Sequence, residues 1–354
     1  MCHQHKLSRR IARFRAPLVA ALVLAVGGCN HDNSFETDAT AEPVDPGVAA
    51  DSSLSADSTL AAADTSAADT SSIDDDTPLS EEPDGGAMVD EPLSTSISYA
   101  GGIPIGTFHQ PNSAYGSRYN GALRNIWPAY LNSNLAAIKS RGGKVMLSLA
   151  GAESNFKDAQ GHFSLTKWKA RVARFRTVNF SRYITDGTII GHYLIDEPND
   201  ASNWNGQRIS GATLDEMARY SKQLWPGMAT VVRAYPDYLA GYSGTYRYLD
   251  AAWAQYAYRK GNIGTFTSNN VALAKRKGLA LVVGLNVLKG GPNGARMSAS
   301  QVKSWGSTLL SSSYPCAFLS WQYSSSYLGT SSMKSAMSAL RSKAENRSRK
   351  SCRG

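Results

Sequence analysis

The chain has 354 residues, 42% of them apolar and 18% charged, which supports one large domain or two average ones and excludes a fully disordered or collagen-like chain. Beyond the N-terminus no run of 18 apolar residues occurs, which excludes a polytopic membrane protein. The net charge of +9 is a sum of unlike parts: residues 1–29 carry five basic groups and no acid, residues 30–98 carry 17 acids and no Lys or Arg, and residues 99–354 carry 32 basic and 11 acidic groups, a net +21.

Residues 1–29 read as an export signal. Lys6, Arg9, Arg10, Arg13 and Arg15 precede the apolar run 16–26, too short to span a bilayer comfortably, and Gly27, Gly28 and Cys29 follow. Val26-Gly27-Gly28-Cys29 resembles the lipobox of bacterial lipoproteins, which implies lipidation of Cys29 and a membrane anchor. Asn30 stands where inner-membrane lipoproteins carry Asp, so the resemblance implies the outer membrane or cell surface; an ordinary cleaved signal would give a secreted or periplasmic protein instead. Residues 30–98, rich in Ala, Ser, Thr and Asp, bury too little apolar surface to offset their ordering entropy. They read as a disordered linker extended by self-repulsion, with a fold-back onto the basic body as the alternative.

Residues 99–354 alternate strand-like with helix-like runs. Ile103 to His109, Lys144 to Ala150, Ile189 to Asp196, Ala229 to Ala234, Ala252 to Tyr258, Leu279 to Asn286 and Ala317 to Tyr323 are short apolar runs bounded by Gly or Pro, the pattern of buried parallel strands. An eighth strand is expected within Tyr115 to Trp127. Amphipathic helices are predicted over Trp127 to Ser140, Leu165 to Tyr183, Leu214 to Leu224, Ser268 to Lys277, Ala299 to Ser311 and Ser332 to Lys343, with a capping box at Thr213 to Glu216 and stops at Gly142 and Gly278. Such alternation over about 250 residues fits one (β/α)8 TIM barrel better than two domains. An open doubly wound sheet would need a Gly-rich phosphate turn after its first strand, and the segment from Gly106 to Pro111 supplies none.

Cys2 and Cys29 fall in the signal, leaving Cys316 and Cys352. If Cys316 opens the last strand and the final helix returns antiparallel, the two meet at one end, where a disulfide suits an exported protein. No zinc-ligand spacing occurs, and His109, His162 and His192 stand alone, so no metal or cofactor is expected.

In a barrel the chemistry gathers on loops after the carboxyl ends of strands. Asp186 and Asp250 precede strands, Asp215 and Glu216 fall in a helix first turn, and Glu345 lies in the last helix or tail; these five read as structural. Glu153, Asp158, Asp196, Glu197, Asp200 and Asp237 follow strands. The sharpest feature is Gly191 to Pro198, an apolar strand ending abruptly in Asp196, Glu197 and a proline. A carboxyl half-desolvated at a barrel mouth acquires the raised pKa that a general acid needs.

This segment resembles TIM-barrel glycoside hydrolases, whose fourth strand ends in Asn-Glu-Pro. The likeness covers the barrel loosely and this tripeptide closely. It implies Glu197 as the proton donor and Asp196 in the place of the Asn that contacts the sugar 2-hydroxyl. Retaining members carry a nucleophilic Glu at the end of strand seven, where this sequence offers Asn286. The second carboxylate is then Glu153 or Asp237, and inversion through a water is the simpler reading. For Glu153 the plainer alternative is a loop cap.

Other strand ends suit a sugar. His109, Tyr235, Gln255, Tyr256, Trp321, Gln322 and Tyr323 offer rings for C–H faces and amides for hydroxyls, although such aromatics also fill barrel interiors, as expected for Trp253. Arg233, Arg259 and Lys289 also fall near strand ends. With the net +21 they suggest an acidic polymer, whereas Lys167, Lys169, Arg171, Arg174 and Arg176 line one helix and read equally well as a solvated face.

The reading is a surface-anchored monomer that hydrolyses glycosidic bonds of a carbohydrate polymer. The alternatives are a non-catalytic glycan-binding barrel, or a polysaccharide lyase acting on an acidic glycan. Nucleic acid is not an expected partner, because the body is exported and carries no nucleic-acid fold motif. The tail from Arg347 to Arg353 is expected to touch anionic lipid or lipopolysaccharide.

Overall fold

A computed structural model describes residues 102–348 and 351–353; the expected export signal, Cys29 and the acidic linker lie outside the described residues. Eight parallel strands close into a barrel in chain order: β1 (Ile105–Phe108), β2 (Gly121–Asn125), β3 (Lys144–Ser148), β4 (Ile189–Asp196), β5 (Thr230–Arg233), β6 (Ala251–Tyr256), β7 (Ala280–Leu285) and β8 (Ala317–Ser320). β8 closes on β1 with Ile105 opposite Phe318. The fold is the (β/α)8 barrel. Its strands are apolar over nearly their whole length because both faces are buried, one against the interior and one against the helices.

The main helices are α1 (Leu131–Ser140), α2 (Leu165–Ala173), α3 (Ser181–Thr185), α4 (Gly211–Leu224), α5 (Pro236–Ala240), α6 (Ile263–Arg276), α7 (Ala299–Leu309), α8 (Ser325–Leu328) and α9 (Ser331–Glu345). The single helix predicted from Leu165 is two. The chain turns after Ala173 so that both Phe175 and Phe180 bury, and Asn179 Oδ1 then accepts the Ser181 N–H at 3.3 Å to open α3. α4 begins earlier than its predicted cap: Ser210 Oγ accepts the Thr213 N–H at 3.2 Å, so Thr213 lies inside the helix. Asp215 is accordingly not in the first turn. It accepts backbone N–H groups from Tyr248 at 2.9 Å and Leu249 at 3.0 Å and thereby holds the approach to β6. Gly142 and Gly278 follow α1 and α6 at φ +66° and +68°, the left-handed conformation in which a helix stops without penalty to glycine.

The barrel interior holds Phe108, Leu123, Met146, Tyr193, Val231, Trp253, Val282 and Leu319. Phe108 and Trp253 lie 4.8 Å apart between ring centres, and Tyr193 meets Trp253 edge-on at 5.7 Å. Packed aromatic pairs of this kind each contribute about 0.5–1.5 kcal/mol beyond area burial. The end holding the strand N-termini is stapled: Cys316, just before β8, forms a disulfide with Cys352, with a Cα–Cα separation of 5.2 Å. Nearby, Arg347 Nη2 donates to Pro315 O at 3.2 Å. Lys222 and Asp250 pair at 2.7 Å at the same end, and Asp250 also accepts the Thr230 N–H at 2.8 Å.

Candidate active site

The mouth of the barrel, at the strand C-termini, is built around the end of β4. Its register shifts against β3 between Val145 and Met146, and against β5 between Tyr193 and Asp196. A bulge re-aims the side chains beyond it. Leu194 and Ile195 both enter the outer core, after which Asp196 stands opposite Arg233, the last residue of β5. Glu197 follows at φ +31°, a left-handed conformation that costs a residue with a Cβ on the order of 1–3 kcal/mol. Its N–H donates to Arg233 O at 3.1 Å, which helps hold it there.

Arg233 is the hub. Its Nε donates to Asp196 Oδ1, its Nη1 to Gln255 Oε1 at 2.7 Å, and its Nη2 lies 3.4 Å from Glu197 Oε1. The guanidinium also lies over the rings of Phe108 and Trp321, at 5.7 and 5.6 Å. Burial opposes its charge, but Asp196, Tyr193 and Glu197 outweigh burial and hold it firmly protonated. The sequence offered Arg233 to an anionic substrate; in the structure its fork is engaged by the protein's own Asp196, Gln255 and Glu197.

Glu153 comes from the loop after β3 and opens a 3-10 turn, Glu153–Phe156. Burial, then the Asp196 carboxylate, and more weakly Glu197, push its pKa up to about 8, against the opposing pull of Lys157 and Arg233. It is therefore a neutral acid at pH 7 beside two carboxylates that share one arginine. Environments that drive apart the pKa values of neighbouring carboxyls separate an acid from a base.

The remaining predicted residues divide. Trp321 is half-buried at the mouth, 5.1 Å from the Phe108 ring and 6.3 Å from that of His109, which is exposed at φ +53°. Gln255 points inward to Arg233. Tyr235 donates its hydroxyl to Gln255 O at 2.7 Å; burial pushes its pKa to about 12, and Arg233, Glu197, Arg259 and Asp237 all act on it electrostatically. Gln322 Oε1 and, one strand over, Gln110 Nε2 are buried without hydrogen-bond partners, an acceptor and a donor in reserve. Arg259 and Lys289 are exposed on the loops after β6 and β7. Tyr323 packs against the outer core.

Tyr256 departs from the expected site, and Asp237 and Asn286 are engaged by backbone groups. Tyr256 faces the helices, where its ring meets Phe266 at 5.2 Å and Trp305 at 5.4 Å and its hydroxyl donates to Gly261 O at 2.7 Å; alternation puts it on the opposite side of β6 from Gln255. Asp237 is exposed in the first turn of α5 and accepts the Tyr238 N–H at 2.6 Å, an N-terminal position that the helix dipole favours. Asn286 Oδ1 accepts the Lys289 N–H at 2.9 Å and so caps the turn after β7. Asp158, also after a strand, closes a small turn by accepting the His162 N–H at 2.8 Å.

Sequence reasoning missed Tyr193 and Lys260. The Tyr193 phenol is buried beside Asp196, and burial followed by that carboxylate raises its pKa well above the usual value. Its signal was its place three residues before Asp196, but the bulges in β4 break the simple alternation that would have aimed it inward. Lys260 lies 4.0 Å from the Tyr235 ring centre and interacts with Glu197.

No family model and no curated protein matches the sequence. Solved structures do match by shape. A β-glucanase from Saccharophagus degradans aligns at 10% identity over 70% of this chain and 89% of its own, with a TM-score of 0.50. An endoglucanase from Pseudomonas stutzeri aligns at 8% identity over 67% of this chain and 93% of its own, with a TM-score of 0.47. A xylanase from Thermotoga maritima aligns at 11% identity over 70% and 97%, with a TM-score of 0.45. At such identities the likeness speaks to architecture: the chain has the (β/α)8 fold found in glycoside hydrolases.

Proposed function

We propose that the protein is an exported glycoside hydrolase, held to the membrane by a lipid on Cys29 and a linker over residues 30–98, in which Glu153 is the acid and Glu197 the base. Glu153 gives its proton to the glycosidic oxygen as the bond from that oxygen to the anomeric carbon breaks. Glu197, which retains an open side, takes a proton from the water that attacks the anomeric carbon on the opposite face, so the configuration inverts. Asp196 fixes Arg233, and Arg233 holds Glu197 in place. These roles exchange those that the Asn-Glu-Pro resemblance implied for Glu197.

The observation that carries the reading is the neutral Glu153 carboxyl beside the Asp196–Arg233–Glu197 cluster at the barrel mouth. The test is release of reducing ends from a panel of polysaccharides, with product anomers followed by proton NMR. Inverted product that disappears in Glu153→Gln and Glu197→Gln supports the assignment; hydrolysis that survives Glu153→Gln sinks it. A second reading, a glycan-binding barrel without turnover, draws on Asn286, which caps a turn where retaining enzymes hold their nucleophile. It predicts binding with no reducing ends released. Membrane association that persists in Cys29→Ala would remove the lipid anchor.

A further inference from the structure

Among the described residues four large apolar side chains are exposed: Trp127, Tyr130, Tyr248 and Tyr258. Tyr248 precedes β6 at the base, whereas the other three follow β2 or β6 at the mouth. On the β2 side of the mouth an exposed ring is flanked by two cations, and on the β6 side an exposed ring is followed in the chain by two cations. On the β2 side the guanidinium groups of Arg171 and Arg174 lie 5.8 and 5.1 Å from the Trp127 ring centre. Arg171 Nε donates to Ala150 O at 3.0 Å, which fixes this group on the loop that leads to Glu153. On the β6 side Tyr258 stacks on Trp305 at 6.1 Å and 25°, which covers one ring face, and the side chain remains 53% exposed. Arg259 and Lys260 follow it in the same 3-10 turn, with the Lys260 ammonium over the neighbouring Tyr235 ring at 4.0 Å.

In an eight-stranded barrel closed in chain order, β2 and β6 are diametrically opposite, and the loops carrying Glu153, Asp196 and Glu197 lie between them. Each cation pair is self-repelling. Burial and Arg171 pull the Arg174 pKa below its usual value; burial and Arg259 do the same to Lys260, against the pull of Asp237 and Glu197. An anion placed at either pair relieves that repulsion. Aromatic rings and paired cations on one station, Trp127 with Arg171 and Arg174 or Tyr258 and Tyr235 with Arg259 and Lys260, match a pyranose that carries its charge on the sugar frame itself, with the C–H face on an aromatic and the carboxylate on the guanidinium or ammonium groups.

We propose that these two stations hold one polyuronate chain stretched across the mouth, so that the bond over Glu153 and Glu197 is an internal one and cleavage is endo-acting. The inference rests on the glycan reading above and adds the substrate class and its path. The test is migration of the full-length chain in native gels containing polygalacturonate, hydroxyethyl cellulose or dextran sulfate. Polygalacturonate should retard the protein, less so at high salt, and hydroxyethyl cellulose should not. Replacing Arg171 and Arg174 by Gln, or Tyr258 by Ala with Lys260→Gln, should each weaken retardation about tenfold, and all four together should abolish it. Circular dichroism and the single substitutions guard against misfolding.

Equal retardation by hydroxyethyl cellulose or dextran sulfate overturns the proposal, as does polygalacturonate binding that is indifferent to both stations. Polygalacturonate binding without hydrolysis leaves the stations standing and removes the catalytic reading. Hydrolysis of a neutral glycan without polygalacturonate binding does the reverse.

Discussion

The two ends of this barrel are built to opposite rules. At the base the buried acid has its own partner: Asp250 has Lys222 at 2.7 Å and the Thr230 N–H at 2.8 Å, and a disulfide pins Cys316 to Cys352. At the mouth three acids crowd one arginine, one of them stays protonated, and Glu197 takes a left-handed backbone. The base lowers the energy of the fold; the mouth holds an arrangement that the fold must sustain. A barrel separates these tasks because its strand N-termini and C-termini face opposite ways, so strain at one end need not disturb pairing at the other.

The largest expected effect is on turnover. Glu153→Gln and Glu197→Gln should each lower hydrolysis about 10²–10⁴-fold, while the melting temperature stays level or rises, as measured by reducing-end assay and calorimetry. A comparable loss of stability in Glu153→Gln would erase the contrast. At the base Asp250→Ala should cost about 3–5 kcal/mol in urea unfolding, because Lys222 keeps its burial and loses its counter-charge, with activity of the folded fraction unchanged. Removing the disulfide, which closes a separation of 36 residues, should cost about 3–4 kcal/mol by loop entropy, again without effect on the mouth.

Stability against pH provides a finer contrast. Glu153 holds its proton up to about pH 8 in the folded chain, whereas its ordinary value is 4.5. Its contribution is therefore fully present below 4.5 and is lost as pH rises through about 8. Activity should fall in the same range as the acid ionises. His192 runs the other way. It is buried between β4 and the helices, its Nδ1 2.8 Å from Ser221 Oγ, and burial lowers its pKa to about 3. Its contribution is present above about 6.5 and is lost as pH falls toward 3. Melting temperatures from pH 4 to 9 should lose their alkaline slope in Glu153→Gln and part of their acid slope in His192→Gln; unchanged slopes would refute the respective assignments. The smallest effect belongs to Tyr256→Phe, which removes one hydrogen bond to Gly261 O for about 1 kcal/mol and leaves substrate KM unchanged.

The barrel was legible because each strand is a short apolar run and each helix an amphipathic one, patterns that survive without tertiary context. β4 was read to its last residue, since Asp196 ends the apolar run abruptly. Boundaries elsewhere slipped where side chains settle them: α4 starts at Gly211 because Ser210, not Thr213, supplies the cap. Tyr256 was misread because the sequence places it beside Gln255 while the strand puts the two on opposite faces.

The sequence by itself determined the alternation that builds the barrel and the short list of acids at strand ends, because periodicity and charge are local properties. Only the tertiary structure decided what those acids are. Glu153 becomes a neutral acid through burial and the nearness of Asp196, some forty residues away in the chain. Arg233 becomes a hub because a bulge in β4 turns Asp196 toward it. A carboxyl's proton affinity is set by the field around it, and that field exists only once the chain has closed.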